Sequence, residues 1–246
     1  VVFWFDWWDS RGKAIVSTKI GIITEGPIDD ILLSALLERI ARERANFTWP
    51  TMPDDLGQII PLRKRGHGGV LDAVRRLVSY LEQVPPTDHA FFVVLLDRRT
   101  RPVQEKIRKL ISGKDLFVPG IAIEEIEAWW LADRHNTLAW LGLRDEPPDT
   151  VRYWEESYNP EKDPDPKKTL DELTDIAQNV DQRYGQGNTE LARQFATEYW
   201  QDSADLNTIE RDCPKGFRPF CHHVTKALDR EKKRQGRFFK SRAIDS

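Results

Sequence analysis

Three apolar runs in this chain end in carboxylates. Glu25 and Asp29 follow Ile20-Gly21-Ile22-Ile23-Thr24, Asp97 closes the run from Phe91 to Leu96, and Glu125 and Glu127 follow Phe117 to Ile123. Each run has the length and composition of a buried strand, and open α/β sheets hold their ligands at the carboxyl ends of such strands. Carboxylates drawn from several strand ends are hard oxygen donors that suit Mg²⁺ or Mn²⁺ and leave coordination positions for water and phosphate oxygens. A metal held there can activate water and stabilise a leaving oxygen in phosphodiester cleavage. Gly26-Pro27 separates Glu25 from Asp29, which sets the first at a strand tip and the second in the first helical turn, both facing one point. Taken singly, each acid has a plainer reading as a charge at a helix N-terminus or on a solvated loop. Their joint placement favours one shared metal site.

The elements that must position these acids alternate in type. Ile20–Thr24 reads as the first buried strand. Residues 28–45 carry apolar side chains at Ile28, Ile31, Leu32, Ala35, Leu36 and Ile40, the spacing of a helix with one buried stripe, and Pro27 is tolerated at its first turn. Residues 47–56 read as loop and 58–62 as a short strand. The basic, glycine-rich Arg63-Lys64-Arg65-Gly66-His67-Gly68-Gly69 follows, and residues 70–82 are helical by the same periodicity. Ala90–Leu96 is a continuous apolar run, as in parallel strands covered on both faces. A basic helix over 101–111, a strand over 117–123 and a helix opening at Glu125 complete the pattern. This alternation predicts an α/β fold, a mostly parallel sheet with helices on both faces. After Leu143 the texture changes to proline-rich breaks and helices over 169–179, 189–199 and 220–234. The expected organisation is an N-terminal extension over 1–17, an α/β domain over 18–143 and a helical region over 144–246. The aromatic opening, Val1-Val2-Phe3-Trp4-Phe5-Asp6-Trp7-Trp8, reads as lying upstream of the true start, with Val16 as an alternative initiator and a buried strand as the competing view.

The 246 residues are 39% hydrophobic and include nine tryptophans, enough for a substantial core, and the net charge is −3. The charge is unevenly spread: residues 145–181 hold 12 acids against 4 bases, and 211–242 hold 3 acids against 11 bases. An acidic middle and a basic tail are compatible with nucleic-acid binding, and equally with two solvated helical faces. Only two cysteines occur, Cys213 and Cys221, so no four-cysteine zinc site exists and reduced, cytoplasmic thiols are expected. No apolar run reaches the ~20 residues that span a bilayer.

The motifs Ile22-Ile23-Thr24-Glu25-Gly26-Pro27-Ile28-Asp29, Val93-Val94-Leu95-Leu96-Asp97 and Ile123-Glu124-Glu125-Ile126-Glu127-Ala128-Trp129 resemble those of the Toprim domains related to OLD-family nucleases. They are most similar to a family of small, stand-alone Toprim-like proteins encoded beside an ATPase in bacterial anti-phage loci. The late Cys213-Pro214-Lys215-Gly216-Phe217-Arg218-Pro219-Phe220 also fits that family. The resemblance covers residues 18–135 well and the remainder thinly. It implies a Rossmann-like Toprim sheet and Mg²⁺-dependent (or Mn²⁺-dependent) nuclease chemistry on DNA or RNA. Glu25 and Asp29 take the first acidic motif, Asp97 the second, and Glu125 and Glu127 the third. Glu25 would serve near the reacting phosphate, with Asp29, Asp97 and Glu127 completing the catalytic set. An ABC- or AAA-type ATPase partner is implied in phage defence, and a homodimer is compatible. Two alternatives stand beside the nuclease: a degenerate subunit that binds a partner or nucleic acid, and a toxin that cleaves host tRNA.

One departure bears on the chemistry. The second Toprim motif is usually D-x-D, whereas this chain reads Asp97-Arg98-Arg99. A cation at Arg99 repels Mg²⁺ or pairs with a phosphate. Arg63, Lys64, Arg65, His67 and Arg99 are therefore the nucleic-acid-binding candidates, the first four within a glycine-rich stretch that is otherwise a flexible basic loop. The stretch lacks the P-loop pattern. His222-His223 near the two cysteines matches no common zinc finger and reads as helix packing. Trp129, Trp130 and Trp140 read as core. The basic tail over 230–242, interleaved with Phe238-Phe239, reads as a nucleic-acid or partner surface or as a solvated helix end. No G-x-S-x-G occurs and neither cysteine ends a strand, so nucleophilic alternatives are thin.

Overall fold

The computed structural model describes residues 18–41, 45–48, 51–53, 59–61, 66–83, 89–97, 101–145, 149–185, 188–201 and 203–242. Strand β1 (Thr18–Ile23) leads into helix α1 (Pro27–Ala41), followed by β2 (Ala45–Thr48), β3 (Thr51–Pro53) and β4 (Ile59–Pro61). Helix α2 (Gly66–Gln83), β5 (Phe91–Asp97), α3 (Arg101–Ile111) and β6 (Phe117–Ala122) complete the α/β half. Two short helices follow, α4 (Glu127–Ala132) and α5 (Arg134–Trp140), and then α6 (Asp149–Ser157) and α7 (Pro166–Asp175). Helix α8 (Thr189–Phe195) runs into a π turn at Ala196–Trp200 and is followed by α9 (Leu206–Asp212) and α10 (Phe217–Arg242).

The central sheet has the order β2-β1-β5-β6 with every neighbouring pair parallel; β3 and β4 form a separate antiparallel pair. The longer strands β1 and β5 form its centre, with β2 and β6 at its edges. The α/β expectation thus holds in its coarse form: a small parallel sheet flanked by helices in a mostly helical chain. The apolar runs are continuous because alternate side chains enter two different cores. Ile20, Ile22, Phe91, Val93 and Leu95 face α1 and the later helices. Ile23, Phe92, Val94 and Leu96 face α2 and α3.

Several boundaries differ from the sequence reading. Residues 47–56 were expected as loop but contain the end of β2 and all of β3. These strands are three and four residues long, and β2 draws on backbone pairing with β1, so no long apolar run marks them. Helix α1 ends at Ala41 and α2 begins at Gly66, which draws the second half of the glycine-rich stretch into a first helical turn. The helices α5, α6 and α9 are additional to those expected.

Beyond β6 no strand occurs among the described residues, and the later helices share the core of one sheet face. Trp130 stacks on Phe195 at 3.7 Å between ring centroids, and Trp129 stacks on Phe220 at 5.1 Å. Both indoles are buried, whereas Trp140 is partly buried against the same cluster. His222 and His223 lie exposed on α10, so they do not provide the packing expected of them; Cys213 and Cys221 do. No helix among the described residues is long and apolar enough to cross a membrane.

Candidate functional site

The site lies where the sheet changes direction. From β1 the chain crosses through α1 on one face to β2; from β5 it crosses through α3 on the other face to β6. Connections that leave adjacent strands in opposite directions open a crevice at their carboxyl ends. Here that crevice lies between β1 and β5. Glu25 follows β1 and Asp97 ends β5, and the Asp97 backbone N–H donates to Glu25 Oε1 at 3.2 Å. The Gly66 N–H donates to the Glu25 carbonyl at 2.9 Å, tying the start of α2 to the same tip. Gly66 takes a φ of +71°, a conformation glycine adopts without a side-chain clash.

Asp29 enters from the first turn of α1 and is 8% exposed. Its position at a helix N-terminus should favour the charged form, yet burial, reinforced by the charge of Glu127, pushes its pKa up to about 8. Desolvation outweighs the helix dipole here. Asp97 is raised well above the ordinary carboxylate range, by burial first and then by Asp29 and Glu25. Glu25 is raised by burial, partly offset by the Asp97 N–H and by His67, which lies exposed in the first turn of α2.

The third acidic pair is set by an unusual backbone. Glu124 stands at φ +63°, in the left-handed region that non-glycine residues seldom occupy. The turn it makes connects the end of β6 to α4 and buries Glu125 at 5% exposure and Glu127 at 0%. Neither acid serves as the cap of α4, whose N-cap is Ile126 without a side-chain bond. The reading of these residues as solvated loop charges therefore fails.

Two residues that the motifs did not single out complete the cluster. Lys167, in the first turn of α7, sets its Nζ 3.4 Å from Glu125 Oε1 and 3.8 Å from Glu127 Oε1. Its backbone N–H also donates to Glu125 Oε2 at 3.3 Å. The surrounding carboxylates raise its pKa despite burial, so the ammonium is charged. Tyr184 donates its phenol O–H to Glu127 Oε1 at 2.5 Å, and Glu127 Oε2 is buried with no hydrogen-bond partner among the described residues. For Lys167 the available signal was Asp165-Pro166, an N-cap followed by proline at the first helical position. Tyr184 comes from an irregular segment and left no periodic signal.

Glu25, Asp29, Asp97, Glu125 and Glu127 are thus brought to one end of the sheet, with His67 beside Glu25. Arg63, Lys64, Arg65 and Arg99 lie outside the described residues, as does the expected N-terminal extension. The donor set suits a hard divalent cation in its chemistry: it is all carboxylate, Glu127 Oε2 has no partner among the described residues, and four of the five acids have raised pKa values. In this arrangement the oxygens are not gathered around one point, and among the described residues no group of three His, Cys, Asp or Glu is set to hold a metal ion. Comparison with protein-family profiles, characterised proteins and solved structures gives no significant match.

Proposed function

We propose that this chain is a Toprim-like, divalent-metal-dependent phosphodiesterase that cleaves DNA or RNA. The observation that carries this reading is the placement of Glu25, Asp29, Asp97 and Glu127 at one end of the sheet, where burial raises the pKa of all four and neighbouring carboxylates raise Asp29, Asp97 and Glu127 further. Among the described residues the ammonium set against these acids is that of Lys167, and buried carboxylates in excess of their counter-charges retain protons or take up a cation. Glu25, Asp29, Asp97 and Glu127 would hold Mg²⁺ or Mn²⁺, which when bound supplies an activated water and charge stabilisation at a leaving oxygen. Glu25 keeps partial solvent access, so it is the carboxylate best placed to meet a substrate phosphate and its attacking water. His67, with Arg63, Lys64, Arg65 and Arg99, would supply positive charge for the nucleic-acid backbone. Control by a partner ATPase in phage defence rests on the motif resemblance alone.

The test is cleavage of plasmid DNA, total RNA and tRNA with Mg²⁺ or Mn²⁺, run beside Glu25→Ala. Metal-dependent cleavage lost in the variant supports the reading, and RNA-only cleavage selects the toxin form of it. A folded wild-type protein that binds neither metal nor shows cleavage refutes it. A second reading, a non-catalytic binding subunit, is favoured by the ion pairs of Lys167 with Glu125 and Glu127. Metal binding without cleavage, together with retained nucleic-acid binding, would select that second reading.

A further inference from the structure

Resting on the nucleic-acid reading, we infer that the solvent face of α10 is the track along which the nucleic-acid backbone lies, gripped by Arg218, His222, Lys226 and Lys233. In sequence α10 holds nine bases and two acids, in a chain whose net charge is −3. Its opposite face is packed into the core, where Phe217, Phe220, Val224, Ala227 and Leu228 are buried. With 3.6 residues per turn, the four gripping residues fall on the side away from that apolar face, and all four are exposed. None of them has a carboxylate partner among the described residues. The acid on this face is Asp229. Arg230 and Arg234 flank the row but already face Asp115 and Glu231, each at 2.8 Å, so the grip does not depend on them. From Arg218 to Lys233 the helix rises ~22 Å, the length of about six nucleotides of one duplex strand.

The row is aligned with the sheet. Helix α10 runs antiparallel to β6: Gly216 lies against the Ile121 carbonyl, Phe220 against Gly120, and the Arg230 guanidinium donates to the Asp115 carbonyl at 3.0 Å. Arg218 therefore stands toward the carboxyl end of β6, from which the chain turns into Glu125 and Glu127, and Lys233 stands at the opposite end. Carboxylates at the strand ends repel a phosphate backbone, so the grip on it has to lie outside them. A row of cations that begins at that end provides it, and such contacts fix position without reading sequence. The same face is poorly suited to other partners. Protein interfaces centre on apolar or aromatic anchors and are depleted in lysine, whereas the exposed positions from Arg218 to Arg234 include no large hydrophobic side chain. An amphipathic helix binds a membrane through its apolar face, and here that face is closed against the sheet.

The experiment measures binding of fluorescein-labelled single-stranded DNA, RNA and duplex DNA to the full chain by fluorescence anisotropy, in EDTA so that nothing is cleaved, over a series of salt concentrations. One variant combines Arg218→Gln, Lys226→Gln and Lys233→Gln. A second combines Lys106→Gln, Arg108→Gln and Lys109→Gln, exposed bases of α3 on the other side of the sheet, and makes the same change in net charge. All six positions lie on the surface, and circular dichroism melts confirm that both variants fold. The α10 variant should bind at least tenfold more weakly and lose about 2 to 3 from the slope of log K against log salt, while the α3 variant stays within about threefold of wild type. Wild-type affinity and slope in the α10 variant, or an equal loss in the α3 variant, overturn the inference and leave the phosphodiesterase reading standing. Salt-sensitive self-association that is lost in the α10 variant while nucleic-acid affinity is unchanged overturns it in favour of a contact with the acidic residues 145–181 of a second copy. A folded wild type that neither binds nor, with Mg²⁺ or Mn²⁺, cleaves any of these nucleic acids overturns both.

Discussion

The backbone N–H of Asp97 donates to Glu25 Oε1 at 3.2 Å, so the tips of the two strands flanking the switch point share one hydrogen bond. That bond needs an oxygen acceptor and no charge. Glu25→Gln keeps an oxygen for it and removes the carboxylate, whereas Glu25→Ala removes both. Glu25→Gln should therefore retain wild-type thermal stability and lose Mn²⁺ affinity by about tenfold or more. Glu25→Ala should lose the same affinity and a further ~1 kcal/mol of stability. Titration calorimetry and thermal melts check this, and wild-type Mn²⁺ affinity in the glutamine variant would count against Glu25 as a ligand.

Stability should depend on pH with a definite sign. Burial and the Glu127 charge raise Asp29 to about 8 in the folded protein, above its unfolded value of ~3.9. The folded state then binds the proton more tightly, so this contribution is full below about pH 4 and is lost as pH rises through about 8. Asp97, Glu25 and Glu127 shift in the same direction. Asp171, Asp205 and Asp212 shift downwards through hydrogen bonds with Arg183, Thr208 and Arg211, so their contribution is lost only in stronger acid. The EDTA-treated protein should lose roughly 5 °C or more of Tm between about pH 5 and about pH 9. Asp29→Asn should flatten that slope, and Mg²⁺ should restore stability at the alkaline end. A Tm that rises with pH across this window would contradict the assignment.

Tyr184 reaches Glu127 from 57 residues away in sequence and is the neutral donor on its Oε1. Tyr184→Phe keeps the ring in the Trp130 contact, an edge-on pair at 5.7 Å, and removes only the hydroxyl. The expected cost is ~1–3 kcal/mol of stability, since a buried carboxylate oxygen loses its hydrogen bond. Mn²⁺ affinity should fall by about tenfold or more, because the second oxygen of Glu127 is no longer oriented. Chemical denaturation and Mn²⁺ titration of the same sample separate the two effects. An unchanged Mn²⁺ affinity would mean that Tyr184 serves packing alone.

The strands and their terminal acids are legible in the sequence because a strand buried on both faces must be apolar throughout, and a charge directly after it interrupts that pattern. Ile22-Ile23-Thr24-Glu25 and Leu95-Leu96-Asp97 carry this signal. The four residues of β2 do not, since an edge strand can be held by backbone pairing to β1 alone. Lys167 escaped for another reason: it follows a proline-rich acidic break that reads as linker, and its partner Glu125 lies 42 residues earlier. Its role depends on how α7 packs against α4, which no local period encodes. Arg99, expected either to oppose metal binding or to pair with a phosphate, lies outside the described residues; within them Lys167 sets its ammonium against Glu125 and Glu127.

Glu161 explains why the segment Cys213-Pro214-Lys215-Gly216 can run close against the end of β6. The residue is 9% exposed, and its carboxylate accepts the N–H groups of Lys215 at 2.8 Å and Gly216 at 2.7 Å. A Cβ on Gly216 would stand 3.0 Å from the Ile121 carbonyl oxygen and 3.0 Å from Ile123 Cγ1, so the segment is pressed against the end of β6. Glu161→Ala leaves both N–H groups without their acceptor, one of them buried, and should cost ~2–4 kcal/mol. Glu161→Gln keeps an oxygen acceptor and should recover part of that loss. Because β6 leads directly into the turn carrying Glu125 and Glu127, Glu161→Ala should also weaken Mn²⁺ binding, with no acid of the site altered. Denaturant melts of both variants give the stability difference, and a loss below about 0.5 kcal/mol in Glu161→Ala would show that water replaces the carboxylate at both N–H groups.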